Sequence, residues 1–297
     1  MKFLRSSFIS NQPLLNLRAP AKINWFLSVL ARRNDGYHDI YTLMHRVSLY
    51  DDLLFYNADT IEVICDADIP LEDNLVYKAA SLLQKHTSCK KGIKIVLHKN
   101  IPISAGLGGG SSDAAFTLLG LNTLWGLGLT KRELTAIGLE IGSDVPFFLN
   151  GSSALIEGRG EKITHANITV SMVLLLVKPP VPVSTAWAYK NLKKLTKRTI
   201  DIKLFCQALN RGDFDSLGNM LKNDLEKAVV KRYPLVGKIK DSLSEHGASI
   251  SAMSGSGPTV FGVFESTEKA SSAAHELGQN WCRVVTTLTN EELKVKS

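Results

Sequence analysis

"PISAGLGGGSSDAA", Pro102–Ala115, places four glycines in the five positions 106–110 and follows them with Ser111, Ser112 and Asp113. Glycine loses more conformational freedom on folding than any other residue, so a cluster of this density answers a special demand on the backbone. Upstream, "GIKIVLHKNIP" sets Ile93, Ile95 and Leu97 against Lys94, Val96 and His98, the alternation of a half-buried strand. Downstream, Ala114, Ala115, Leu118, Leu119, Asn122 and Leu124 continue as a helix. A strand, then glycines, then a helix is an arrangement that binds phosphate. N–H groups in the first helical turn have no intrahelical partner and carry the positive end of the dipole, and missing side chains let a polyanion approach them.

Three bare readings of the loop compete. A P-loop requires a lysine followed by Ser or Thr after its last glycine, and here Ser111 follows directly. The dinucleotide fingerprint GxGxxG is met loosely by Gly106, Gly108 and Gly109, but Ser111 stands where its third glycine belongs. A purely structural turn needs fewer glycines than these.

Composition limits the rest. A chain of 297 residues suffices for two domains, and 44% apolar with 21% charged residues is ordinary globular composition. Cys65, Cys89, Cys206 and Cys282 are scattered without metal-ligand spacing, as are the seven histidines, which points to reduced thiols in a cytoplasmic protein without a zinc site. "MVLLLV", Met172–Val177, is too short to span a bilayer and suits a buried strand. "MKFLRSSFISNQ" lacks the apolar core of a secretory signal and reads as a short tail or a targeting remnant. The net charge of +7 is spread out with few aromatics, so neither a nucleic-acid nor a membrane partner is expected. The densest basic stretch, "KNLKKLTKR" (Lys190–Arg198), is either a solvated segment or an attractor of a small anion.

Further elements follow from pattern. "INWFLSVLARR" (Ile23–Arg33) reads as a strand with Lys22 at its start and "NDGYH" as a turn after it. A helix starts near Asp73 or Asn74; another follows Thr130, with Glu133 completing a capping box. "DFDSLGNMLKNDLEKAVV" (Asp213–Val230) reads as helical, and strands follow at "SISAMSGSG", "TVFGVFES" and "WCRVVTTL". Strands with interleaved helices, twice over, predict two α+β domains, 1–165 and 166–297, meeting at a cleft.

The quoted loop resembles the phosphate loop of the GHMP kinase superfamily, small-molecule kinases that hold ATP on a helix N-terminus without a loop lysine. Other stretches resemble the same superfamily in the same order: "APAKINWFL" (Ala19–Leu27), "RRNDGYHDIYTL" (Arg32–Leu43), "IGSDVPFFLNGSSALIEGRGE" (Ile141–Glu161), "NDLE" (Asn223–Glu226) and "SAMSGSGPTVFGVF" (Ser251–Phe264). The extended GLGGGSS and the DGYH stretch resemble one branch, which phosphorylates a cytidine-diphosphate-linked methylerythritol on the non-mevalonate isoprenoid route. Ser143 and Trp25 depart from that branch, where alanine and leucine are usual.

The resemblance implies a two-domain GHMP fold with ATP and Mg²⁺ as cofactors and a small-molecule acceptor, working as a monomer or weak homodimer. ATP phosphates would lie on Pro102, Ile103, Ser104, Ala105, Gly106, Leu107, Gly108, Gly109, Gly110, Ser111 and Ser112, with Ser111 or Ser112 helping to place Mg²⁺. Asp113 either joins that shell or favours the helix N-terminus. Asp144, read bare as a turn or cap residue before Pro146, becomes the general base. Lys22, read bare as a surface lysine, becomes its partner and offsets charge on the transferred group. Asn24 would bond nearby. Tyr37 and His38 would recognise cytosine, with Tyr189, or failing it Trp187, on the other face of the ring. Gly255 and Ser256, within a turn that could equally be a hairpin bend, would close on the acceptor's diphosphate. A catalytically silent nucleotide-binding relative would be expected to lack Lys22 or Asp144, and both are present.

Overall fold

The structure, a computed structural model, describes residues 12–290. The tail read at Met1–Gln12 lies, but for its last residue, outside them. The first sheet is organised around β2 (His38–Tyr56), which pairs antiparallel with β1 (Leu15–Arg32) along nearly its whole length. On its other flank β2 pairs with β5 (Ser153–Gly158) through its first half and with β4 (Ile93–His98) through its second. Edge strands β3 (Ile61–Cys65), parallel to β4, and β6 (Lys162–His165) complete six strands. The second sheet is antiparallel, in the order β10 (Trp281–Thr286), β7 (Val173–Lys178), β9 (Val260–Phe264), β8 (Ile250–Met253).

Three helices cover the first sheet: α1 (Leu75–Thr87), α2 (Gly109–Trp125) and α3 (Lys131–Ile141). Each begins where local chemistry directs. The Asn74 side chain accepts from the Val76 N–H, and Thr130 and Glu133 form the expected capping box. The single turn α4 (Val145–Phe148) has Asp144 at its N-cap and Pro146 inside it, where a missing N–H costs nothing.

The expected strand at Ile23–Arg33 starts earlier, at Leu15, and Lys22 is interior to it rather than at its start. The outer part, Leu15–Pro20, pairs with the second half of β2, and register shifts at Pro20/Ala21 and Asn24/Phe26 bend the strand into the first sheet's curvature. From Ala19 to Val29 it is buried without interruption. The core explains this. Ile23, Trp25 and Phe26 pack with Leu174, Leu176, Phe205 and Phe261 between the two sheets, while Leu27 and Val29 face the helices of the second half. Each such side chain contributes about 1.5–3 kcal/mol by leaving water. Trp25, one of the two departures, has its ring edge-on to Phe261 at 5.5 Å, and its indole N–H donates to His45 Nδ1.

The second half adds α5 (Thr185–Lys190), α6 (Ile202–Arg211), α7 (Phe214–Met220), α8 (Glu226–Arg232), α9 (Pro234–Glu245) and α10 (Thr267–Glu276). The helix expected across Asp213–Val230 is two helices, interrupted at residues 221–225. There the backbone leaves the helix to bond to β1: Leu27 N donates to Lys222 O at 2.8 Å, and Asp224 N to Leu27 O at 2.9 Å.

Candidate active site

Conformation and crowding together explain the glycines. Gly106 and Gly108 have φ of +77° and +71°, a region that side chains disfavour. A Cβ on Gly106 would lie 2.3 Å from the Ser254 carbonyl oxygen; one on Gly108 would press on Lys22 and Phe148, each at 3.0 Å; one on Gly109 would meet Ile101 at 2.9 Å. Gly110 is looser, with only Leu75 at 3.5 Å. Gly108 caps α2 in the left-handed region and no side chain caps that helix, so its first N–H groups face the adjoining space.

That space is a cavity of about 520 Å³. Its walls include Lys22, Asn24, Asp144, Tyr189, Gly255 and Ser256, together with Pro102–Gly106 and Gly108–Ser111 of the loop. Residues of both halves therefore meet there. Leu107 and Ser112 are the exceptions within the loop. Leu107 is buried in the core, and its carbonyl receives the Lys22 N–H at 2.9 Å; Ser112 is fully buried.

Lys22 and Asp144 come together although 122 positions separate them. Lys22 Nζ is 3.5 Å from Asp144 Oδ2, donates to Asn24 Oδ1 at 2.6 Å, and reaches the Gly106 carbonyl at 3.1 Å. Burial pulls the ammonium below the ordinary lysine value, and Asp144 offsets part of that. Asn24 is oriented in turn, donating to Thr42 Oγ1 at 2.8 Å. The Ser254 hydroxyl links the Asn24 N–H to the Gly106 carbonyl, which joins the second glycine turn to the first. Behind Asp144, buried Arg46 lies among the rings of Phe116, Phe147 and Phe148, and its guanidinium donates to the Phe148 carbonyl at the end of α4. Ser143, the other departure, offers its backbone rather than its side chain: a Cβ on Gly160 would lie 2.2 Å from its carbonyl oxygen.

The aromatic candidates separate. Tyr189 lines the cavity and stacks on His38, with centroids 5.0 Å apart and planes at 31°. Trp187 instead packs edge-on against Tyr233 and beneath Arg232. His38 Nε2 is buried without a partner, and burial, with Arg32 nearby, lowers its pKa. Tyr37 stands at 49% exposure outside the cavity wall, under the Arg159 guanidinium at 4.9 Å.

The sequence reading missed one wall of the cavity: Ile69, Asp73, Leu75 and Val76 at the start of α1, with Leu97 and Lys99 at the end of β4. Lys99 bridges two buried carboxylates, donating to Asp51 and, at 2.7 Å, to Asp113. Burial lowers the Lys99 pKa, but Asp113 and Asp51 more than restore it; burial pushes the Asp113 carboxyl up to about 8. Asp51 also accepts the N–H groups of Asn100 (2.6 Å) and Ile101 (2.8 Å), which ties the chain entering the loop to β2. Asp113 thus anchors the loop from beneath. Its one signal in the sequence was the charge of Lys99 just before the glycines.

The donors present fit a hard cation brought in on a polyphosphate. Ser111 lines the cavity, Ser112 Oγ and Asp113 Oδ1 are buried without partners, and among the described residues no cluster of three acids, histidines or cysteines would hold an ion unaided. No described helix is long and apolar enough to cross a membrane.

The GHMP kinases N terminal domain matches residues 74–152 and the GHMP kinases C terminal domain residues 205–283. A 4-diphosphocytidyl-2-C-methyl-D-erythritol kinase of Thermodesulfovibrio yellowstonii is 48% identical over 95% of this chain and 100% of its own length. One of Geobacter metallireducens is 44% identical over 89% and 94%. A crystal structure of 4-(cytidine 5'-diphospho)-2C-methyl-D-erythritol kinase superposes with a TM-score of 0.79 at 31% identity, covering 92% of this chain and 99% of that one. Homoserine kinase from Cytophaga hutchinsonii, at 19% identity and a TM-score of 0.71, shares the fold. With a glycine loop opening α2, a lysine–aspartate pair beside it, and relatives of this similarity over nearly all its length, the chain belongs to the GHMP kinases, in the family of the 4-diphosphocytidyl-2-C-methyl-D-erythritol kinases.

Proposed function

We infer that this kinase transfers the γ-phosphoryl group of ATP to the 2-hydroxyl of 4-diphosphocytidyl-2-C-methyl-D-erythritol, a step toward isoprenoid precursors. The observation that carries the reading is the Lys22–Asp144 pair at 3.5 Å, on the cavity wall beside the open N-terminus of α2.

Asp144 takes the proton of the acceptor hydroxyl as its oxygen bonds to the γ-phosphorus and the bond to ADP breaks. Lys22 holds the Asp144 carboxylate in place and offsets the negative charge on the transferring group, a stabilisation that counts for more where water is excluded. The backbone of Pro102–Gly106 and Gly108–Ser111 cradles the phosphates. Ser111 or Ser112 is the hydroxyl that would help hold Mg²⁺, which when bound neutralises phosphate charge. Tyr189, His38 and Tyr37 hold the cytidine, and Gly255 and Ser256 meet the diphosphate. The two parts of the chain, 1–165 and 166–297, then supply mainly the ATP side and mainly acceptor-side closure. Free thiols at all four cysteines suit a reducing compartment, and we place the enzyme in the cytoplasm.

The test is a phosphorylation assay with ATP and Mg²⁺ against three acceptors: the cytidine-diphosphate-linked methylerythritol, mevalonate and homoserine. Turnover confined to the first is expected. Comparable kcat/KM on either of the others overturns the assignment.

A further inference from the structure

The Asn223-Asp224-Leu225-Glu226 stretch runs from the break between α7 and α8 into the first residue of α8, and its polar side chains are turned to backbone groups elsewhere. Asp224 Oδ2 accepts the Val29 N–H of β1 at 2.8 Å. Glu226 Oε2 accepts the Met253 N–H at the end of β8 at 3.2 Å, while its other oxygen pairs with Lys240 at 2.6 Å. Asn223 uses its whole amide: Nδ2 donates to the carbonyls of Met253 and Gly255, each at 2.8 Å, and Oδ1 accepts the Leu225 N–H at 3.0 Å. With Leu27 bonded to Lys222 and Asp224 through the backbone, the stretch straps β1, which carries Lys22 and Asn24, to the turn that carries Gly255 and Ser256.

The two carbonyls held by Asn223 flank Ser254, whose hydroxyl bridges Asn24 and Gly106. Among the described residues the one cis peptide is Gly257–Pro258, so the Gly255–Ser256 peptide is trans. In a trans peptide the N–H points opposite to the C=O. With the Gly255 carbonyl turned back onto the strap, the Ser256 N–H is turned away from the strap, and both residues line the cavity. Gly255 has φ of +56° and is crowded: a Cβ there would lie 3.1–3.2 Å from the Gly106 carbonyl, Asn24 Oδ1 and Lys22 Nζ. A peptide flip at this point would put a carbonyl where the acceptor's anionic diphosphate is to bind.

We propose that Asn223 is a positioning residue for the acceptor: by tying down the Met253 and Gly255 carbonyls it presents the Ser256 N–H to the diphosphate, and it acts on acceptor binding without touching the acceptor. This rests on the acceptor assignment above, so wild-type turnover with the cytidine-diphosphate-linked acceptor is measured first and tests that assignment alone.

The perturbation is Asn223→Asp, which keeps the shape but replaces the donating nitrogen with an oxygen facing two carbonyls. KM for the acceptor is measured at saturating ATP, KM for ATP at saturating acceptor, and the thermal midpoint alongside. The acceptor KM should rise about tenfold or more, the equivalent of one lost hydrogen bond, while the ATP KM stays within about twofold. If Asn223→Asp does not fold, Asn223→Ala, which removes the donors without adding charge, gives the same readout. Lys227→Met, at an exposed lysine of α8 outside the strap, should leave both constants unchanged. Equal rises in the two KM values, or a lowered midpoint with both KM values intact, would make Asn223 a structural clip only and overturn the proposal.

Discussion

Replacing Lys22 with methionine separates the catalytic from the structural value of its charge. Lys22 is 3% exposed, and its ammonium has three oxygens around it: Asn24 Oδ1 at 2.6 Å, the Gly106 carbonyl at 3.1 Å and Asp144 Oδ2 at 3.5 Å. Methionine fills much of the same space without charge. Two effects on stability then oppose each other. Hydrogen bonds from a charged donor are lost, at about 1.5–3 kcal/mol each. Against this, an ammonium no longer has to be stripped of water, a penalty of roughly several kcal/mol for a buried ion. The net change should stay within about 2 kcal/mol, or about 6 °C in the thermal midpoint. Turnover has no compensating effect, because the lost charge acts on the transition state. Its removal should lower kcat by about 10²–10³-fold, the scale for deleting one preorganised stabiliser. Steady-state kinetics with thermal unfolding on the same preparation gives both numbers. A kcat within tenfold of wild type would refute the role given to Lys22, and a variant that cannot fold would show that the charge is structural first.

Asp144→Asn should cut kcat by about 10²–10⁴-fold, the usual contribution of a general base, while the thermal shift produced by ATP with Mg²⁺ survives. Gly106→Ala sets a methyl group 2.3 Å from the Ser254 carbonyl at φ +77°; the left-handed backbone alone costs about 1–2 kcal/mol, so the midpoint should fall and the ATP KM rise. Tyr189→Ala should raise the acceptor KM well above any change in the ATP KM, whereas Trp187→Ala should move neither; titration of both substrates checks this. Because burial holds Lys22 below the ordinary value of 10.5, kcat/KM should fall on an alkaline limb centred below 10.5. Over the same window the unfolded chain binds the proton that the folded one has lost, so the Lys22 contribution to stability should rise with pH as activity falls. Parallel pH profiles of kcat/KM and denaturation midpoint read the two signs.

Local chemistry was readable along the chain. The glycines announced a helix N-terminus, Asp73 or Asn74 and the Thr130–Glu133 box announced helix starts, and the run Met172–Val177 announced the buried strand β7. Each of these signals acts over a few residues, where sterics and the nearest donors dominate. The wall formed by Ile69, Leu75, Val76 and Leu97 carried no such signal, because its residues are ordinary apolar ones whose role comes only from facing the loop. Tyr189 was placed ahead of Trp187 by resemblance alone, for a related reason: they lie two apart on one short helix, and the packing of Tyr233 against Trp187 decides which faces the cavity.

The interrupted helix at residues 221–225 shows where the boundary lies. Its sequence supports helix on both sides, and what stops the helix is the free N–H and C=O of Leu27, nearly 200 positions earlier. The Asp51–Lys99–Asp113 cluster is a second case, assembled across spans of 48 and 14 positions. Residue order therefore dictated most of the elements and the glycine-rich entry to α2, while Lys22 and Asp144 were marked only by the resemblance. Folding in three dimensions decided which buried polar groups meet, because a charge taken out of water is tolerable only beside a partner, and that partner can come from anywhere in the chain.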